Sequence, residues 1–327
     1  MNIFKDKRIL ITGGAGFIGS NLAKQILEYE PKIIRILDNS EYGLYKTRQK
    51  LNDEKHIRYL IGDVRDKERL EKAVKDIDIV YHCSALKHVD FCEFNPYDAI
   101  QTNVIGTKNI IDASTEEEVD KFILISTDKA PNPNSVMGAT KLLGERLVIS
   151  SFYYKGMSKT ILSSVRFGNV IGSTGSVVPT FMEQIKNGSS VTITNDKMTR
   201  FMMSVDDATN LILKATELAI GREIFILKMP SMRIKDLAEV MIEKYSNKSI
   251  DIDIIGSRLG EKIHEELMTK YEAENAYENS DLIVITGDSE YYTNNGYRKI
   301  EPISYTSDKS IIMTKSEISK LLDKIND

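Results

Sequence analysis

Seven short apolar runs alternate with helix-like stretches through the first two thirds of the chain, and this order restricts the fold more than any other feature. The runs lie at 8–12 (RILIT), 33–38 (IIRILD), 57–63 (IRYLIGD), 77–85 (IDIVYHCSA), 121–127 (KFILIST), 160–168 (TILSSVRFG) and 223–228 (EIFILK). Each is continuous rather than alternating, as strands are when helices cover both faces of a parallel sheet. Strand–helix–strand repetition then predicts an α/β, doubly wound parallel sheet with right-handed crossovers.

At 327 residues the chain suits one large α/β domain plus a smaller lobe. The pattern changes after about residue 228, where a helical stretch is followed by polar, turn-rich sequence around 271–300. The expected division is a dinucleotide-binding domain at 1–168 and about 200–228, with a C-terminal substrate lobe at about 169–199 and 229–327. Near the end, Thr314 and Glu317 have capping-box spacing before apolar Ile318, Leu321, Leu322 and Ile325. A net charge of -4 argues against a sequence-independent nucleic-acid binder. No run of ~18 apolar residues predicts a membrane span, and MNIFKDKRILITGG leads directly into a strand, so a cytoplasmic protein is expected. Cys83 and Cys92 read as thiols, and His56, His82, His88 and His264 lack paired-ligand spacing, so no metal is expected.

The stretch ITGGAGFIG follows the first strand and opens a helix. Gly13, Gly16 and Gly19 are spaced so that backbone can approach a pyrophosphate at a helix N-terminus, with Phe17 and Ile18 between the last two. Asp38, 19 residues beyond Gly19, is placed to accept hydrogen bonds from ribose hydroxyls and to repel a 2′-phosphate. NAD is therefore favoured over NADP, although Arg35 and Lys46 are near enough in sequence to reach a phosphate after folding. Asp63, followed by Val64, reads either as an adenine contact or as a helix cap.

The fifth run ends in STDKA. Asp128 and Lys129 fall at the carboxyl edge of the sheet, where ligands of open α/β sheets bind; the alternative is a solvated charge pair. Lys141 follows on a predicted helix, positioned to bond a nicotinamide ribose.

Taken together, GxxGxxG, STDKAPNPNSVMGATK, KHVDFCEFNP (87–96), RFGNVIGSTGSVVP (166–179), MTRFMMS (198–204) and RLGEKIHE (258–265) resemble the UDP-N-acetylglucosamine 4,6-dehydratases. These belong to the extended short-chain dehydrogenase/reductase superfamily. The resemblance spans residues 5 to about 268.

The resemblance implies oxidation of a nucleotide sugar at C-4, loss of the C-5 proton and C-6 hydroxyl as water, and hydride return to C-6, with NAD(P) recycled. It makes Asp128 the acid and Lys129 the base. Asn169, Arg200 and Arg258 become contacts to the nucleotide diphosphate, Glu261 a uridine or ribose contact, and Lys87 and His88 neighbours of the pocket. For Asn169 a turn cap, for the Arg–Glu set a structural pair and for His88 a packed ring are the plainer readings. Many relatives carry a proton-relaying tyrosine four residues before Lys141; here it is Met137, and Thr127 is the expected substitute relay. A UDP-sugar 4-epimerase and a non-catalytic dinucleotide sensor are the competing readings. A homodimer or homohexamer and a downstream aminotransferase are the implied partners.

Overall fold

The computed structural model describes residues 2–52, 55–173 and 175–324. All seven apolar runs are strands: β1 Arg8–Thr12, β2 Ile33–Asp38, β3 Ile57–Ile61, β4 Ile79–His82, β5 Lys121–Ile125, β6 Ile161–Arg166 and β7 Ile224–Leu227. They pair in parallel in the order β3-β2-β1-β4-β5-β6-β7. The continuity of the runs has a direct cause. Along β1, Ile9 and Ile11 enter the core on one face, while Leu10 enters a second core on the other with Leu37, Val80, Phe122 and Leu124. Both faces are dry, so apolar residues stand at both alternate positions, and the few polar ones, such as Thr12 and His82, are hydrogen-bonded to each other or to neighbours.

Three further strands extend this sheet, and they come from the stretch grouped with the lobe on sequence grounds. β8 Ala276–Glu278, β9 Leu282–Ile285 and β10 Arg298–Lys299 add antiparallel beyond β7, in the order β7-β9-β8-β10. The run LIVI is only four residues long and is flanked by polar residues, so it carries little pattern. Its partner β7 buries it.

A third core gathers Ile171, Val178, Phe181, Met202, Met232, Leu237 and Met241 around the helices Val177–Lys186 and Ile234–Tyr245. The helix Lys315–Asp323 adds Ile318, Leu321 and Leu322, and its N-terminus carries the expected Thr314–Glu317 capping box. Ile325 lies outside the described residues. The short strand Thr199–Met203 runs parallel to Asn169–Val170, and Gly168, just after β6, lies close against Phe201.

Candidate active site

The loop after β1 forms a cradle. Gly13 has φ +63°, and a Cβ there would lie 2.6 Å from the backbone nitrogen of Ser84; one on Gly19 would meet the Gly13 carbonyl oxygen at 2.5 Å. The helix Phe17–Leu27 starts at Gly16 with no side-chain cap and no acidic residue in its first turn, which suits an anionic ligand at its N-terminus. Phe17 and Ile18 pack their side chains against the main core.

Asp38, at the tip of β2, accepts from the Ala15 amide at 3.1 Å and from the Ser40 amide at 3.0 Å, fixing its carboxylate beside the cradle. Arg35 does not reach this end, since its guanidinium donates to the carbonyls of Ala73 and Lys75. Lys46 sits over the Tyr42 ring. The residues fit a dinucleotide, with glycine backbone for a pyrophosphate and a carboxylate for ribose hydroxyls. Asp63 is not the cap of the next helix, because Asp66 accepts from the Arg69 amide and takes that role. Asp63 instead binds Arg65 through both oxygens, at 3.0 and 2.7 Å, and this pair holds its carboxyl below the usual range. Val64 is buried against Gly106.

Past the end of β5, Ser126 and Thr127 part company. Ser126 turns inward to Glu145, while Thr127 donates its hydroxyl to Oδ1 of Asp128 at 3.0 Å. The same oxygen receives the Lys129 ammonium at 2.8 Å. Asp128 is fully buried, anchored by its amide to the Phe167 carbonyl, and its Oδ2 has no hydrogen-bond partner. The Lys129 amine also lies 3.4 Å from Glu265. Burial and Arg200 pull Lys129 down, but Asp128 and Glu265 outweigh them and hold its pKa above the ordinary lysine value.

The helix Val136–Tyr154 is capped by Ser135 and lies hard against this loop, since a side chain at Gly138 would collide with the Lys129 carbonyl. Lys141 on this helix is buried, donates to the Ile125 carbonyl, and is pushed down by burial to about 8. Met137 does not offer a polar atom to the site. It is buried with Cys92 and Ala99, packed by Val89 and Val136.

On the strand Thr199–Met203, Arg200 is nearly buried, donates to the carbonyls of Thr199 and Ile263, and faces Glu261 at 3.6 Å and Glu265 at 3.7 Å. Glu261 also accepts from the Arg258 backbone amide, while the Arg258 side chain is exposed. The Oδ1 of Asn169 is buried without a hydrogen-bond partner, which disfavours a turn-capping role for it. Lys87 and His88 are exposed; the His88 ring stacks edge-on with Phe91 and abuts Gly175. No group of three or more His, Cys, Asp or Glu side chains among the described residues is arranged to hold a metal ion.

The structure thus brings Thr127, Asp128, Lys129, Arg200 and Glu261 into one cluster, with the glycine cradle and Asp38 along the same edge of the sheet. Two members escaped the sequence reading. Glu265 closes the quoted segment RLGEKIHE, and Lys262 in the same segment donates to the carbonyls of Pro131 and Asn132, tying the lobe to the loop after Lys129. Only the density of charge in that segment signalled them.

Residues 9–287 match the family described as polysaccharide biosynthesis protein. A protein named uncharacterized membrane protein MJ1061, from Methanocaldococcus jannaschii, is 51% identical over 99% of this chain and 98% of its own length. A UDP-N-acetylglucosamine 4,6-dehydratase (inverting) from Campylobacter jejuni is 41% identical over 99% and 98%. The X-ray structure of Pen from Bacillus thuringiensis superposes with a TM-score of 0.92 at 42% identity, covering 98% of this chain and 99% of that one. A UDP-glucose 4-epimerase from Rickettsia canadensis is 36% identical over 99% and 97%. No helix among the described residues is long and apolar enough to cross a membrane.

Proposed function

The chain belongs to the polysaccharide biosynthesis protein family, and on that premise we propose that it is an NAD-dependent 4,6-dehydratase of UDP-N-acetylglucosamine. The observation that carries this reading is the hydrogen-bonded series Thr127–Asp128–Lys129 at the carboxyl end of β5. An epimerase needs one proton relay; a dehydratase also needs an acid for the departing hydroxyl and a base for C-5.

The glycine cradle and Asp38 would hold the dinucleotide, with Lys141 available to its nicotinamide ribose, and the bound group would supply the hydride chemistry. Thr127 takes the C-4 hydroxyl proton and passes its own to Oδ1 of Asp128. Asp128, now a carboxylic acid, gives that proton to the C-6 hydroxyl, which leaves as water. Before that transfer the neutral Asp128 no longer helps to hold Lys129 as an ammonium, so Lys129 can release its proton to solvent and, as the free amine, take the C-5 proton. Lys129 then returns a proton to C-5, and atoms balance as substrate giving product plus water. Arg200 and the exposed Arg258 are read as the diphosphate clamp, with Asn169 and Glu261 as further substrate contacts. Lys87 and His88 line the approach.

NAD rather than NADP is favoured because Asp38 stands at the ribose position while Arg35 and Lys46 are engaged elsewhere. The exposed Phe91, Phe94 and Tyr97 suit pairing into a homodimer or homohexamer. A keto-sugar product would serve an aminotransferase.

Incubation with UDP-N-acetylglucosamine in deuterated water, followed by mass spectrometry, tests the reaction. Loss of water with one deuterium incorporated supports the dehydratase. The relative named as an epimerase favours a second reading, for which the product has unchanged mass.

A further inference from the structure

Two of the buried glutamates, Glu145 and Glu265, are treated differently. Glu145 is saturated: Arg166 donates to both its oxygens and Ser126 to one. Glu265, at 2% exposure, is not. Its Oε1 lies 3.4 Å from the Lys129 amine and 3.7 Å from Nε of Arg200, and its Oε2 is buried with no hydrogen-bond partner. Its backbone is fixed on both sides of the peptide, the amide donating to Ser307 Oγ at 2.9 Å and the carbonyl accepting from the Ser307 amide at 2.9 Å. A buried carboxylate left part-satisfied costs stability, so the architecture that fixes it there asks for a role outside folding.

We propose that Glu265 is a positioning residue of this site, bracketing the Lys129 amine against Asp128 from the lobe side and linking it to Arg200. This rests on the reading of Lys129 as base. The bracket holds the amine between two carboxylates on separate parts of the fold, one after β5 and one before the strand Glu266–Met268. The charged groups facing it are few. Asp128 comes from the β5 loop, Arg200 from the strand Thr199–Met203, and Glu261 from Glu265's own segment. The neighbours Lys262 and His264 are turned away, to the Pro131 and Asn132 carbonyls and to the Thr199 hydroxyl. Glu266 is on the same segment and the amine of Lys141 is bonded to Ile125. When Asp128 gains the proton passed on by Thr127, Glu265 becomes the sole anion on Lys129, and it sets how readily the lysine releases its own proton to solvent.

The test is a titration of the full chain carrying 13C-labelled lysine, with Lys129→Arg identifying the Lys129 signal. Glu265→Gln keeps the shape and removes the charge, so the Lys129 midpoint should fall by about one pH unit. The acid limb of kcat/KM for water loss from UDP-N-acetylglucosamine should move down with it. An unmoved Lys129 midpoint overturns the proposal, even if activity is lost. If the unaltered protein removes no water from that substrate, the dehydratase reading fails, and the NMR titration still decides on Glu265. Should the Gln variant not fold, Glu265→Asp withdraws the charge by one methylene and should give a smaller fall. No fall there is equally decisive against the bracket.

Discussion

The hydroxyl of Thr127 donates to Oδ1 of Asp128 at 3.0 Å, the same oxygen that receives the Lys129 ammonium. One carboxylate oxygen is therefore the junction between the hydroxyl that would meet a substrate alcohol and the amine that would meet a C–H. If this junction is the proton route, Thr127→Val removes the relay and leaves the acid and base in place. Reduction of bound cofactor in a single turnover should slow by about 100-fold or more. A rate within twofold of the unaltered protein would sink the route.

Met137 stands where the family resemblance leads one to expect a proton-carrying tyrosine, and it lies in an apolar cluster with Cys92 and Ala99. A tyrosine there has to bury a larger ring and a hydroxyl among partners that cannot bond it. Met137→Tyr should cost about 1–3 kcal/mol of stability by overpacking and bring no gain in hydride transfer. Thermal melts and single-turnover rates read the two effects separately. A strong rise in rate would show Thr127 to be a weak substitute.

How much of this could be read from the chain divides along physical lines. The parallel sheet was legible because burial on both faces leaves continuous apolar runs, and the cradle because Gly13 and Gly19 have no room for a side chain. β8, β9 and β10 were not, being short strands at one end of the sheet whose identity comes from pairing with β7 or with one another rather than from local pattern. Asp128 and Lys129 stand out because they are adjacent. Glu265 does not, since its meaning lies in a contact 136 positions away in sequence with Lys129. Of the two readings left open for Asp63, the helix cap falls for a narrower reason. Asp66 stands three residues later in the same segment, and only its backbone geometry lets it reach the Arg69 amide.

Arg166 is fully buried and joins three segments, donating to Glu145, to Glu272 and to the Leu267 carbonyl. Arg166→Met would leave Glu145 in a dry interior with only Ser126 as donor, and would strip Glu272 of its ion pair. The expected loss is about 3–5 kcal/mol, read from urea unfolding. Adding Glu145→Gln should restore part of it, because one of the stranded charges is then gone. A double variant no more stable than the single one would contradict this.

Asp38 holds its carboxylate between the Ala15 and Ser40 amides, so its charge is fixed where a ribose would arrive. Asp38→Ser keeps a hydrogen-bonding group there but removes the charge that repels a 2′-phosphate. Calorimetric titration should show NAD binding weakened and NADP binding improved, narrowing the preference about tenfold or more. A preference unchanged by the substitution would place cofactor choice elsewhere.

Lys141 gives the fold a distinct response to pH. Burial lowers it to about 8 from the ordinary 10.5, and Glu145 offsets only part of that. Below about 8 the lysine is charged in both folded and unfolded chains, so the full cost of burying the ammonium is present. Between about 8 and 10.5 the unfolded chain keeps a proton that the folded chain has shed, and stability rises with pH across that window. Above it the lysine is neutral in both states and the cost is gone. The contribution is on the order of 3 kcal/mol. Lys141→Met removes the titrating group, so urea midpoints followed through the window should climb in the unaltered protein relative to the variant. Parallel curves would mean that the amine is not buried as a cation. The same substitution should weaken cofactor binding, which separates the amine's role at the site from its cost to the fold.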